Sequence, residues 1–476
     1  MSFPLQETNA SGAVGFSFGR VGIIALGWGL LAGGCNLHPV DSSPSPGLTT
    51  AEFSAGAKAI SGAPLGTAWW ETMQSPRLND YVDRALRSSR TIEAARARLA
   101  QADAVYRRAG SVLGPSIDLK GRFDHDIKTT APRGDYRDFG AALSWEIDLF
   151  GRLGSTREVR RMERESRGFL LEGVRLTLSA SVAEAYLGII EQNELLRLLQ
   201  GQRNSSVEFL RIVQQRFDQG LISRVDLLQQ QSQVVDIESL IPDAEASLRI
   251  QENILLTLVG EAPDGRGIAV DPALPLVAPL PSLGNPGDLL VRRPDLQAAR
   301  SDLIAADADI GRALAERMPR LTFSADALLV DGRGKENLLS TLAPSFLLPL
   351  VDWGNRRMEV VRSKEVYRER FAIFTQTYLD AVLDVENAVV RSVKQKELIE
   401  RLEERRGLLE TVLAQTQERY TQGLTDYLPV LTSVQQLNAV EQRLIRERRK
   451  LLSFRVTLHR ALGGPVPVSE ESVAKS

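Results

Sequence analysis

Arg216-Phe217-Asp218-Gln219-Gly220-Leu221 returns as Arg419-Tyr420-Thr421-Gln422-Gly423-Leu424, 203 positions later. The register persists far beyond this stretch. Leu228 maps on Leu431, Gly260 on Gly463, and Phe150-Gly151 on Trp353-Gly354. Upstream, Ala94-Ala95-Arg96 with Leu99 returns as Ala298-Ala299-Arg300 with Leu303, and Pro115 as Pro319, at an offset of 204. A period this long excludes a solenoid, whose units run ~20–50 residues. One half-molecule has been doubled, and its two copies are expected to pack as pseudo-symmetric equivalents.

Composition narrows the function classes. The net charge of −2 gives no global field for nucleic acid. With 3 His and 1 Cys the chain has no Cys/His cluster of metal-ligand spacing and no internal disulfide. His38, His125 and His459 stand apart, and no phosphate loop or nucleophile set accompanies them, so an enzyme and a cofactor are not expected. The lone cysteine closes a leader. Arg20, the apolar run Val21 to Leu31 and the small residues Ala32-Gly33-Gly34 before Cys35 read as a secretory signal peptide over residues 1–34. A cysteine directly after small residues resembles a bacterial lipobox, whose thiol is lipidated, although Leu31 stands one place too early. Residues 35–66, rich in Ser, Pro and Gly, read as a tether.

The same order of elements follows in both halves: a first repeat over 67–260, a Pro-rich linker over 261–287, a second repeat over 288–463 and a tail over 464–476. A helix is expected at 77–113 and again at 294–317, where Pro294 suits a first helical turn. Strand hairpins follow at 116–150 and 320–353. Phe139, Ala141, Leu143, Trp145 and Ile147 share one face, with Ser144, Glu146 and Asp148 on the other. The strand at 342–351 alternates poorly and carries Pro344 and Pro349. Apolar-out, polar-in strands of ~9–11 residues span an outer membrane, but a soluble sheet with one wet face has the same pattern. Long helical hairpins complete each half at 154–260 and 355–462. No proline interrupts 154–219 or 355–421, and apolar residues recur at heptad-like spacing, with gaps at Gln192, Arg203 and Ser206. Some 65 residues of helix run ~100 Å, more than a compact domain needs. Each turns at a glycine, Gly220 or Gly423, and Pro242 should kink the first return helix. A plain coiled coil would explain the helices but not the hairpins between them.

Four strands cannot close a membrane barrel, and an open edge cannot sit in lipid, so strands must be pooled between copies. The order lipobox, helix, hairpin, long helical hairpin, repeated, resembles the TolC/OprM-like outer-membrane efflux proteins, in their NodT-type lipoprotein branch. Asp288-Leu289-Leu290 with Arg292-Arg293-Pro294-Asp295-Leu296, Glu146-Ile147-Asp148-Leu149-Phe150-Gly151-Arg152 and the two Gln-Gly-Leu turns carry the resemblance. It implies a mainly α protein with a transmembrane β-barrel portion: a homotrimer forming a twelve-stranded β-barrel and a twelve-helix α-barrel across the periplasm. It implies a passive exit duct for an inner-membrane pump of the resistance-nodulation-division type, joined through a periplasmic adaptor. Within it, Gly220-Leu221 and Gly423-Leu424 would meet the adaptor, Cys35 would carry lipid, and Asp226, Asp426, Tyr427 and Thr432 would stand at the periplasmic gate. Thr432 departs from the family, which often has a carboxylate there. A polypeptide-secretion duct of the same fold, or a periplasmic coiled-coil scaffold lipoprotein, are the alternatives.

Overall fold

The structure is a computed structural model that describes residues 37–47, 52–53, 68–124, 136–332 and 335–464. Cys35, the leader, His125 and most of the tail lie outside them. The chain folds as α1 (Pro76–Ser88), α2 (Arg90–Ser111), β1 (Ser116–Asp124), β2 (Tyr136–Ile147), α3 (Arg152–Asp218) and α4 (Arg224–Val259). A one-turn helix, Leu289–Arg292, then precedes α5 (Pro294–Ala315), β3 (Arg320–Gly332), β4 (Lys335–Leu347), α6 (Asn355–Thr421) and α7 (Tyr427–Ala461). The doubling is visible in the elements: α2 and α5 each have 22 residues, α3 and α6 each have 67.

The single helix expected over 77–113 is two helices. Ser89 leaves the helical region at ψ 129°, and Ser75 caps α1, its hydroxyl accepting Leu78 N–H at 3.1 Å before Pro76 at N1. Pro242 lies inside α4, which is helical without interruption from Arg224 to Val259.

Two compact units form, and neither follows a sequence repeat; each draws on both halves. Among the described residues, one takes those of Tyr106–Arg160 and Ala306–Val366 with those up to Asp41, the other those of Ser42–Val105, Arg161–Ala305 and from Tyr367 onward. The second unit holds two cores built from equivalent positions. Ile92, Leu171, Leu178, Val182, Ala185, Leu255 and Val259 are buried in one. Leu296, Phe374, Ala381, Val385, Ala388, Leu458 and Leu462 are buried in the other, each the repeat counterpart of the first list. Full burial of such a side chain contributes about 1.5–3 kcal/mol, so the middle of each long helix is held by a core of its own, the first of which also takes in Leu452 and Val456 of α7.

Two of the three polar gaps in the heptad seam, Arg203 and Ser206, have polar partners. Arg203 donates to Glu238 at 2.7 Å, and Ser206 is buried because Gln230 Nε2 donates to its carbonyl at 2.7 Å and its hydroxyl at 3.0 Å. The linker has no ladder to satisfy its backbone, so side chains do so instead. Tyr186 OH accepts Asp271 N–H at 3.1 Å, Glu194 accepts Leu274 N–H at 2.8 Å and Glu252 accepts Ile268 N–H at 3.1 Å.

The first unit carries one antiparallel sheet in the order β1-β2-β3-β4. Its register aligns Ile117, Leu143, Ala325 and Leu342 in one row and Ser116, Ser144, Ser324 and Ala343 in the next. The apolar face is uncovered: Leu119 is 76% exposed, Leu342 68% and Phe346 66%. β4 runs from Lys335 to Leu347, starting seven residues before and ending four before the expected 342–351, and its alternation is broken by Leu339 and Ser340. Pro344, opposite Phe323, is tolerated because β4 is an edge strand.

Candidate functional site

The two helical turns have the same geometry because they have the same sequence. At the end of α3, Gly220 N–H donates to Phe217 O at 2.8 Å and Leu221 N–H to Arg216 O at 2.9 Å. At the end of α6, Gly423 N–H donates to Tyr420 O at 3.0 Å and Leu424 N–H to Arg419 O at 2.9 Å. This crossed pair of bonds is the Schellman arrangement, and both glycines sit at φ +72°, where a Cβ is strained. The turns leave Leu221 65% and Leu424 64% exposed, two apolar knobs with no cover in the protomer.

Beneath the turns the two hairpins pack together. Val213 and Leu227 from the first join Tyr420, Tyr427, Val430 and Leu431 from the second, with Phe209 stacked on Tyr427 at 6.2 Å. Tyr427, expected at the gate, is 2% exposed and donates its hydroxyl to Gln230 Oε1. Burial, with Tyr420 and Asp226 nearby, pushes its phenol well above the ordinary range, so it stays a neutral donor. Both ends of the Gln230 amide are thereby used, toward Ser206 on α3 and Tyr427 on α7. Gln233 accepts from Gln435 at 2.8 Å, and Gln202 accepts from Gln442 at 3.0 Å. A partly buried ladder of amides thus holds α7 to the first hairpin.

The remaining expected gate residues share no hydrogen bond or ion pair with one another among the described residues. Asp226 closes a capping box: its carboxylate accepts Ser223 N–H at 3.1 Å while Ser223 Oγ accepts Asp226 N–H at 3.2 Å. Its negative charge also suits the N-terminus of α4. Asp426 is exposed at the N-terminus of α7 and makes no side-chain cap. Thr432 is exposed, its hydroxyl donating back to Leu428 O at 2.9 Å.

Sequence reasoning missed Arg216. Its Nη1 donates to Tyr420 O and its Nη2 to Thr421 O, each at 2.8 Å, with the guanidinium 4.6 Å from the Tyr420 ring. The signal was present: a basic residue in the last turn of a helix, before a glycine. The motif residues also have structural work. Arg293 is 9% exposed and bonds Asp295, Asp384 and the Ala461 carbonyl. Glu146 stands in β2 on the polar face with Ser144, as expected, and Asp148 lies just past the strand; both also fasten strand to helix. Glu146 accepts both ends of Arg152 at 3.0 and 2.7 Å, and Asp148, past the end of β2, accepts Gly154 N–H at 2.6 Å.

Comparison with known proteins agrees with this architecture. The family model described as outer membrane efflux protein matches residues 81–261 and 285–464, one match per repeat. The pyoverdine export outer membrane protein OpmQ of Pseudomonas putida is 27% identical over 421 residues, 83% of this chain and 87% of its own. Nodulation protein T of Rhizobium leguminosarum bv. viciae is 26% identical over 444 residues, 91% of this chain and 92% of its own. Among solved structures, the outer-membrane channel OprN superposes with a TM-score of 0.85 at 25% identity, covering 90% of this chain and 99% of that one. The Campylobacter jejuni CmeC outer membrane channel superposes with a TM-score of 0.84 at 19% identity, over 93% and 98%.

Proposed function

This chain belongs to the outer membrane efflux protein family, and from that membership we infer that it is the outer-membrane exit duct of a tripartite efflux system. The observation that carries the mechanism is the sheet. It has an uncovered apolar face and, among the described residues, an unpaired edge at β1 and another at β4. In hydrocarbon every backbone polar group needs a partner, so the sheet is stable there only when copies close it into a barrel. Three copies would give twelve strands, with the apolar face toward lipid and the Ser116–Ser144–Ser324 face toward the lumen. The long helices continue the lumen as an α-barrel through the periplasm.

The turns Gly220-Leu221 and Gly423-Leu424 are the surface offered to the hairpins of a periplasmic adaptor, which links the duct to a pump of the resistance-nodulation-division type. Repeated in each copy, they present six similar knobs. Asp226 and Asp426 lie at the neighbouring helix N-termini and place carboxylates around the aperture, which favours cations at the mouth. Tyr427 acts from behind by holding the hairpins together, and Thr432 leaves its position uncharged. OpmQ is named for pyoverdine export, and another relative, TtgC of Pseudomonas putida, for toluene efflux. Cargo therefore differs between related ducts, and selection belongs to the pump. Lipidation of Cys35 tethers the chain to the membrane; a palmitate analogue should label the wild type and not Cys35→Ser.

The decisive experiment is native mass spectrometry of the chain extracted from outer membranes in detergent. Three copies per particle are expected. A water-soluble single copy would refute the barrel.

A further inference from the structure

The two arginines of the repeated hexapeptide are equivalent in sequence but not in engagement. Arg216 of the first hairpin caps the last carbonyls of α6 in the second, donating to Tyr420 O and Thr421 O at 2.8 Å with its guanidinium over the Tyr420 ring. The last carbonyls of a helix have no intrahelical donor and carry partial negative charge, so a planar, two-pronged cation suits them. Arg419 occupies the same place at the end of α6. It is exposed, and among the described residues its side chain has no hydrogen bond or ion pair.

The acceptors that the repeat assigns to Arg419 are Phe217 O and Asp218 O, at the end of α3, with the Phe217 ring in the place of Tyr420. Phe217 O already takes Gly220 N–H, as Tyr420 O takes Gly423 N–H, so the two carbonyls are prepared alike. Among the described residues no side chain donates to Phe217 O or Asp218 O. One surface therefore has a donor without acceptors, and the other has acceptors without a donor.

Neighbouring positions show the same asymmetry. Leu431 of α7 is buried against the first hairpin at 9% exposure, whereas its counterpart Leu228 of α4 is 51% exposed. Gln233 is buried and bonded to Gln435, whereas its counterpart Gln436 is exposed and makes no side-chain bond among the described residues. The interface inside the chain has thus been used once, and each half of it remains vacant on the opposite side. A head-to-tail surface of this kind is filled by further copies and closes when they form a ring.

We propose that Arg419 caps the C-terminus of α3 in an adjacent copy of this chain, with Leu228 of that copy covered by the same contact. The proposal rests on the trimeric reading above and specifies how its turn ends are joined. Six arginine caps then ring the duct, three within chains through Arg216 and three between chains through Arg419. Only the second set yields when copies separate at the tip.

The test introduces Arg419→Cys and Asp218→Cys together in the full-length chain and treats outer membranes with a short bis-methanethiosulfonate reagent. Covalent dimers and trimers are expected on denaturing gels from the double variant and from neither single variant. Arg216→Cys with Thr421→Cys should instead link within one chain, with no rise in mass. In addition, Arg419→Ala should lower the temperature at which the detergent-solubilised trimer dissociates. Native mass spectrometry separates the outcomes. A trimer that shows no interchain link at 419–218, or an Arg419→Ala trimer as heat-resistant as the wild type, overturns the cap while leaving the trimer standing. A single copy overturns both.

Discussion

Glycines of the same backbone conformation should differ in what they tolerate, and the difference follows from their surroundings. Gly423 has φ +72° with nothing within 4 Å of an added Cβ. Gly463, after α7, has φ +89°, but there a Cβ would lie 2.7 Å from the carbonyl carbon and oxygen of Arg292 and 2.8 Å from Arg293 N. Those are backbone atoms at the entry to α5 and cannot rotate away. For Gly423→Ala the cost is that of a left-handed alanine, about 1–2 kcal/mol. For Gly463→Ala the same cost is joined by overpacking of about 1–3 kcal/mol, a total of about 2–5 kcal/mol. Gly260, the repeat counterpart, would meet Ser88 O at 2.9 Å and should behave like Gly463. Thermal unfolding of detergent-purified variants is the assay, read as an order of midpoints, because a large assembly has no single two-state free energy. Gly463→Ala should melt lowest, Gly260→Ala near it and Gly423→Ala closest to wild type. If Gly463→Ala melts with or above Gly423→Ala, the close packing of the return helix on Arg292 is not what that glycine serves. At the turns a larger perturbation tests function. Gly220→Val and Gly423→Val should reach the outer membrane at normal abundance yet fail to support export, and normal export by both would remove the docking role.

Leu119→Arg places a cation on the uncovered apolar face, where a mid-bilayer charge costs about 2–4 kcal/mol; outer-membrane trimer should fall steeply, while Asp118→Ser on the opposite face is tolerated, and equal loss from both would break the face assignment. Tyr427→Phe strands Gln230 Oε1 in a buried site, a cost of about 1–3 kcal/mol; the tip should open to proteolysis near residues 220 and 423, and an unchanged cleavage pattern would count against the amide ladder. His459 is buried against Trp69, and burial, with Arg455 nearby, lowers its pKa to about 4. The unfolded chain takes up that proton near pH 6.5 and the folded chain does not, so stability should be full above pH 6.5 and fall by on the order of 3 kcal/mol toward pH 4. His459→Gln should flatten this dependence in melting curves across that range, and identical slopes would show that another group sets it.

The doubling, the long helices and the turns were legible because they are properties of local pattern. A proline-free run with heptad spacing admits one conformation, and α6 begins and ends at Asn355 and Thr421 as the pattern requires. Glycine before an exposed leucine marked both turns for the same reason. Alternation located β1, β2 and β3, and was weak for β4, where Leu339 and Ser340 are out of phase and where the acceptability of Pro344 depends on the strand's place in the sheet. The break at Ser89 escaped because its cause is the packing of α1 on α3 and α4, not a breaker residue. Asp226 could be read as a gate charge or a helix cap from sequence; within the protomer its bond to Ser223 makes it a cap, a role compatible with the other. Arg216 and Tyr427, and the half of Gln230 that meets Tyr427, acquire their roles only when one hairpin lies beside the other, since those partners stand 197 or more positions away in sequence. Periodicity fixes what a segment becomes on its own. Which polar atom meets which depends on the long-range packing that brings segments together, and no local pattern encodes it.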